Sequence, residues 1–139
     1  MAHIANVGPP IYVEWMVIAL GGALGAGLRH AISVSLNAGQ WHFVLATGVA
    51  NLLGSLGLGF LAGYLATGPP RPLLRPFLTT GVFGSFTTFS ALAMDNRRLA
   101  ADSSELAAAV HLAVSVFSAL AVFVLADRLS VHFFRRGGE

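Results

Sequence analysis

Apolar residues run along this chain in long stretches, separated by short polar or helix-breaking interruptions. Four stretches, near residues 12–36, 42–66, 73–94 and 106–129, are long enough to cross a bilayer, since a transmembrane helix takes about 20 predominantly apolar residues. Asn37-Ala38-Gly39-Gln40 reads as a short polar turn between the first two. Thr67-Gly68-Pro69-Pro70-Arg71-Pro72 ends the second, because proline lacks the amide donor and clashes with the preceding turn. Asp95-Asn96-Arg97-Arg98 and Asp102-Ser103-Ser104-Glu105 flank a charged connection before the fourth. There Ser103 or Ser104 can cap the last helix, with Glu105 favoured in its first turn. The pattern predicts an all-α integral membrane protein, a single membrane domain over 1–139, ending in a frayed tail at 135–139.

The third stretch departs from a plain anchor. Thr79, Thr80, Ser85, Thr87, Thr88 and Ser90 stand among Phe83, Phe86 and Phe89, with Gly81 and Gly84 between them. A span that only anchored would be Leu, Ile and Val throughout. Backbone polar groups at membrane depth need partners, so a span that breaks there lines a cavity or an ion site. The third helix is therefore expected to break mid-membrane. Gly21, Gly22, Gly25 and Gly27 in the first span, and Gly54, Gly57, Gly59 and Gly63 in the second, allow close helix approach, which packing alone explains.

Composition agrees. Of 139 residues, 55% are hydrophobic and 10% charged, against roughly 25% charged in a soluble domain; mean hydropathy is +0.74. The absence of cysteine excludes disulfides, thiolate catalysis and cysteine metal sites. All 8 basic side chains are arginine, and no basic run of the kind nucleic acid needs is present. Residues 1–10 lack a basic segment of the signal-peptide type, so the first apolar stretch reads as a retained helix. An enzyme is the weakest reading: His3, His30, His42, His111 and His132 are scattered, without carboxylates at metal-ligand spacing.

Four spans put both termini and the second loop on one side, with Arg71, Arg75, Arg128, Arg135 and Arg136. The other side has Arg97 and Arg98, with Arg29 inside the first span. Excess basic charge marks the cytoplasmic side. So small a difference suits a chain that inserts both ways up and forms an antiparallel homodimer; a fixed topology with the termini inside stands beside it.

Polar groups inside the spans are few: Arg29 and His30, then Asn51, the hydroxyls of the third span, and His111, Ser115 and Ser118. One polar side chain per helix often just bonds across a helix interface. Together with a broken span, such groups point to a pathway.

At these residues the chain resembles a known family. Gly21-Gly22-Ala23-Leu24-Gly25-Ala26-Gly27-Leu28-Arg29-His30 is similar to its first-helix motif. Asn51-Leu52-Leu53-Gly54-Ser55-Leu56-Gly57-Leu58-Gly59-Phe60 is similar to its second. Thr80-Gly81-Val82-Phe83-Gly84-Ser85-Phe86-Thr87-Thr88-Phe89-Ser90 is similar to its third and most specific. The family is the CrcB/Fluc fluoride channels, and the likeness spans nearly the whole chain.

The resemblance implies a dual-topology antiparallel dimer in the cell membrane that exports fluoride passively. It implies a sodium ion at the dimer centre, held by the main-chain carbonyls of Gly84 and Thr87. It places Asn51, Thr88, Ser90, Ser115 and Phe89 along the anion path. Asn51 offers an amide donor, the three hydroxyl residues offer O–H donors, and a phenyl edge carries the positive part of the ring quadrupole. Phe83 and Phe86 read as packing. Arg29 corresponds to a vestibule arginine, or else snorkels or pairs with helix-end carbonyls.

The chain departs from the family pattern at Leu92, where a second phenylalanine is usual, at His111, where tyrosine is common, and at Ala119, where a hydroxyl is expected. One alternative is a hetero-oligomer in which this chain is one half. Another is a small dual-topology multidrug or cation exporter, which needs a membrane-embedded carboxylate; Glu14 is the acid near the first span, at its edge beside Tyr12 and Trp15. A third is a non-transporting packing subunit.

Overall fold

The computed structural model describes residues 8–36 and 42–136, with the backbone alone at His42 and Arg136. The turn expected at Asn37-Ala38-Gly39-Gln40, the outermost N-terminal residues and the last three of the tail lie outside the described residues. All regular structure among the described residues is helical. Helix α1 is Ile11–Ser35 and α2 is His42–Thr67. The third span is composite: α3 (Leu74–Pro76), a π-helical segment (Phe77–Phe83), α4 (Gly84–Phe86), and α5 (Phe89–Asp102). The last helix, α6, is Glu105–Arg136. Among the described residues, four helical segments are long and apolar enough to cross a membrane: Ile11–Ser35, Phe43–Thr67, Leu74–Asp102 and Glu105–Arg135.

The expected break in the third span is present. Thr87 (φ −78, ψ 153) and Thr88 (φ −152, ψ 120) are extended, and helical geometry resumes at Phe89. Before the break the chain is wound as a π-helix, a form found mostly as short insertions at functional sites.

The third span also runs further than the hydrophobic pattern predicts. Asp95-Asn96-Arg97-Arg98, expected to flank a charged connection, is helical, and α5 ends only at Asp102. The turn to α6 is reduced to Ser103 and Ser104. Leu99, Ala100 and Ala101 are good helix formers, so the helix persists where mean hydropathy falls. Ser104 is the cap of α6, its Oγ accepting the Ala107 N–H at 3.1 Å.

Close packing explains the glycines of α1. Gly21 and Gly25 are buried against the π-helical segment. A Cβ at Gly21 would strike the Phe77 carbonyl, and one at Gly25 the Val82 carbonyl. Helix α2 lies along α6 in the most extensive pairing of the fold. Ser130, fully buried on α6, crosses that interface to donate to the Phe60 carbonyl at 2.6 Å. Large apolar side chains on the outside, among them Trp15 (69% exposed) and Phe117 (70%), face outward as lipid-facing residues do.

Candidate functional site

The break in the third span is held open by Asn51 of α2. Its Oδ1 accepts the Thr88 N–H at 2.7 Å, and its Nδ2 donates to the Thr88 carbonyl at 3.0 Å. The peptide atoms fix the amide orientation, because an N–H must face Oδ1 and a carbonyl must face Nδ2. One side chain therefore supplies the partners that an extended residue loses inside a membrane. The second N–H of Nδ2 is left over for another acceptor.

Two further substitutions of partner follow along the backbone. Helical winding ends with Thr87 N–H donating to the Phe83 carbonyl at 3.0 Å. In a continuous helix the next bond would run from Thr88 N–H to the Gly84 carbonyl, but that N–H goes to Asn51. Likewise the Ala91 N–H, which would serve the Thr87 carbonyl, is taken by the Thr88 side chain at 3.1 Å in an N-cap. The carbonyls of Gly84 and Thr87 are thus released from their helical donors. Gly84 is exposed on the single chain; the half-buried Thr87 donates its hydroxyl to the Phe83 carbonyl at 2.9 Å.

Next to the break is a groove of about 290 Å³, lined by Asn51, Thr87, Thr88, Phe89, Leu92 and Ser115, among others. Phe89 is 69% exposed, whereas Leu92 is buried at 3%. Ser115 faces the groove from α6, and its carbonyl accepts from Ser118 Oγ at 3.2 Å. A second cavity, of about 280 Å³, is lined by Arg29, His30, Ser33, Thr47 and Thr88 with neighbouring alanines. Thr88 lines both. Its hydroxyl stands 3.1 Å from that of Ser90, which is exposed.

The fold therefore brings Asn51, Thr88, Phe89 and Ser115 to one groove, sets Ser90 beside it, and places Arg29 across Thr88 in the neighbouring cavity. Gly84 is not a lining residue of either.

Two features escaped the sequence pattern. Asp95 is 4% exposed, although the hydrophobic pattern puts it just past the third span, flanking a charged connection. Its carboxylate hydrogen-bonds the Thr47 side chain, with Arg98 and His111 as charged or chargeable neighbours. Extending the helical period past Met94 would have found it, because Asp95 lies three residues beyond the buried Leu92 on the same face. The second is a pairing of His111 Nδ1 with Asn96 Oδ1 at 2.7 Å, which joins α6 to α5.

Comparison with known proteins identifies the family. Residues 16–126 match the family model described as CrcB-like protein, Camphor Resistance (CrcB). The chain is 39% identical over 114 residues to "Fluoride-specific ion channel FluC 2" of Bacillus subtilis (strain 168), covering 79% of this chain and 86% of the relative. It is 34% identical over 120 residues to "Fluoride-specific ion channel FluC" of Idiomarina loihiensis, covering 86% and 93%. It is 38% identical over 122 residues to the protein of the same description from Xanthomonas euvesicatoria pv. vesicatoria, covering 86% and 92%. With a family model matching most of its length and relatives at this identity and coverage, the chain belongs to the CrcB family.

Proposed function

We propose that this multi-pass protein of the cell membrane is a fluoride-selective channel that lets fluoride leave the cytoplasm passively. The observation that carries the reading is the Asn51–Thr88 clamp: a broken membrane helix, held open between an arginine-lined cavity and a groove of amide, hydroxyl and aromatic side chains. The relatives' descriptions as fluoride-specific ion channels name the ion.

The chemistry suits a small, strongly hydrated anion. Arg29 raises the local anion concentration beside the break. The spare Asn51 N–H and the Thr88, Ser90 and Ser115 hydroxyls replace water hydrogen bonds without a full cation that would trap the ion. Phe89, exposed beside the groove, would meet the anion through its ring edge. Hydrogen fluoride crosses a bilayer as a neutral acid and ionises inside, where the charge traps it. An inside-negative potential then drives the anion out through a channel, with no energy source beyond that potential.

The unit of function is an antiparallel homodimer. Phe89 and Gly84 are exposed on the single chain, and the groove is open on one side, as a surface awaiting a second copy would be. A sodium ion would sit between the copies. Its ligands would be the released carbonyls of Gly84 and Thr87, hard oxygen donors of the type a small cation takes at an unwound helix. Two such oxygens per chain are too few for one cation, and a second copy would double them. The ion would fix the two breaks against each other.

The exporter alternative gains one candidate, since Asp95 is a carboxylate buried in the third span. However, Asp95 is bonded to Thr47 beside Arg98, and it lines neither the Arg29 cavity nor the Asn51 groove. That position does not suit exchange of a proton for a bulky cation.

The test is efflux from liposomes containing only this purified chain, with fluoride compared against chloride. Fluoride efflux with chloride retained supports the channel. Efflux of neither anion, or drug-driven proton flux, overturns it. Efflux appearing only when a second family member is mixed in supports the paired form instead.

A further inference from the structure

We infer that His111 sets the electrostatic field beside this anion path, so that its protonation raises fluoride current as pH falls; this rests on the channel reading. The geometry begins with a polar knot between α2, α5 and α6. His111 Nδ1 faces Asn96 Oδ1 at 2.7 Å. An acceptor there keeps a proton on Nδ1, which leaves Nε2 as the nitrogen that gains a second one. Beside it, Asp95 is 96% shielded from solvent, since its exposure is 4%. Its Oδ2 is buried and has no hydrogen-bond partner among the described residues. A buried carboxylate oxygen without a donor is costly, and a nearby group that acquires positive charge relieves it.

The knot adjoins both halves of the proposed path. Thr47, bonded to Asp95, lines the Arg29 cavity. Ser115, one helical turn after His111 on α6, lines the Asn51 groove. On α5, Asp95 has His111 and Arg98 as its charged or chargeable neighbours. Helix α2 contributes the uncharged Thr47, and α6 itself carries the exposed Glu105 near its start. Across the cavity, α1 offers Arg29 and His30.

With His111 neutral, Asp95 is offset by Arg98 alone. With His111 protonated, a cation is added one turn from Ser115, and the field met by an anion entering the groove becomes more attractive. Hydrogen fluoride enters faster in acid, because more of the weak acid is neutral. A path that conducts better in acid would match that load.

The experiment records fluoride current across planar bilayers containing the full chain, with equal pH on both sides, from about pH 8 down to about pH 5.5. Current counts only the anion, so leakage of neutral hydrogen fluoride does not contribute. The expected result is a rise of about fivefold on acidification. In His111→Gln and His111→Tyr the profile should be flat, while His132→Gln, at an exposed histidine near the far end of α6, keeps the rise. A flat profile in the parent chain overturns the inference, as does a rise retained by both His111 variants or lost in His132→Gln. If neither His111 variant folds, proton titration of the His111 imidazole by NMR must share its midpoint with the current; separate midpoints overturn the inference. Absence of current at every pH sinks the channel reading itself, and this inference with it.

Discussion

Asn51 holds both backbone polar atoms of Thr88, a residue 37 positions away, with hydrogen bonds of 2.7 Å and 3.0 Å. A helix break at membrane depth would otherwise leave an N–H and a carbonyl without partners, each costing about 1–3 kcal/mol. The same clamp frees the Gly84 carbonyl and leaves one N–H of a groove-lining amide for another acceptor. Asn51 thus shapes the break and, in the proposed path, would serve the ion as well.

Asn51→Asp should abolish fluoride flux and also weaken the fold. A carboxylate can accept from Thr88 N–H, but it turns its other oxygen toward the Thr88 carbonyl, removing a bond and adding a repulsion. The loss of stability should be about 1–3 kcal/mol, read as a lower unfolding temperature in detergent. A permeating anion about 4 Å from the new charge is repelled by roughly 4 kcal/mol at an intermediate dielectric. Parental flux in the mutant would remove Asn51 from the path.

Thr88→Val should cost about 1 kcal/mol through loss of the N-cap to Ala91. It also deletes a hydroxyl that faces both cavities and pairs with Ser90. Flux should fall, and Thr88→Ser should restore both properties. Thermal unfolding and anion efflux on the three proteins check this. Restoration of stability without flux would confine Thr88 to a structural role.

Gly84→Val separates the single chain from the dimer. An added Cβ at Gly84 finds only the Thr79 carbonyl at 3.5 Å, ordinary contact distance. The chain itself should therefore insert and fold. Any dependence of dimer stability on sodium over potassium should be lost, because the branched side chain crowds the copy facing it. Size-exclusion profiles in the two salts measure this, and an unchanged sodium preference would argue against a cation site at this break.

Gly25→Val should instead fail within the chain. Its Cβ would strike the Val82 carbonyl, a backbone atom that cannot move without displacing the π-helical segment. Overpacking of this kind commonly costs about 1–3 kcal/mol or more. The expected outcome is a sharp loss of monodisperse protein on purification, with Gly27→Val, where a Cβ meets nothing within 4 Å, as the control that purifies normally.

Hydropathy and residue type were enough to locate the four spans, the proline-rich stop after Thr67 and the break in the third helix. They succeed because the bilayer acts on each residue separately: lipid rewards a long apolar run, and hydroxyls and glycines cluster where that run must be interrupted. The same reasoning stopped at Met94, because declining hydropathy marks the weakening of the membrane signal and not the end of a helix. The partnerships were decided by tertiary structure. That Asn51 reaches Thr88, that Asp95 is buried against Thr47, and that His111 meets Asn96 all depend on the rotation and offset of helices against one another. Those are set by contacts between distant glycine-bearing faces, such as Gly25 against Val82, and no local pattern along the chain encodes which polar atoms such contacts will bring together.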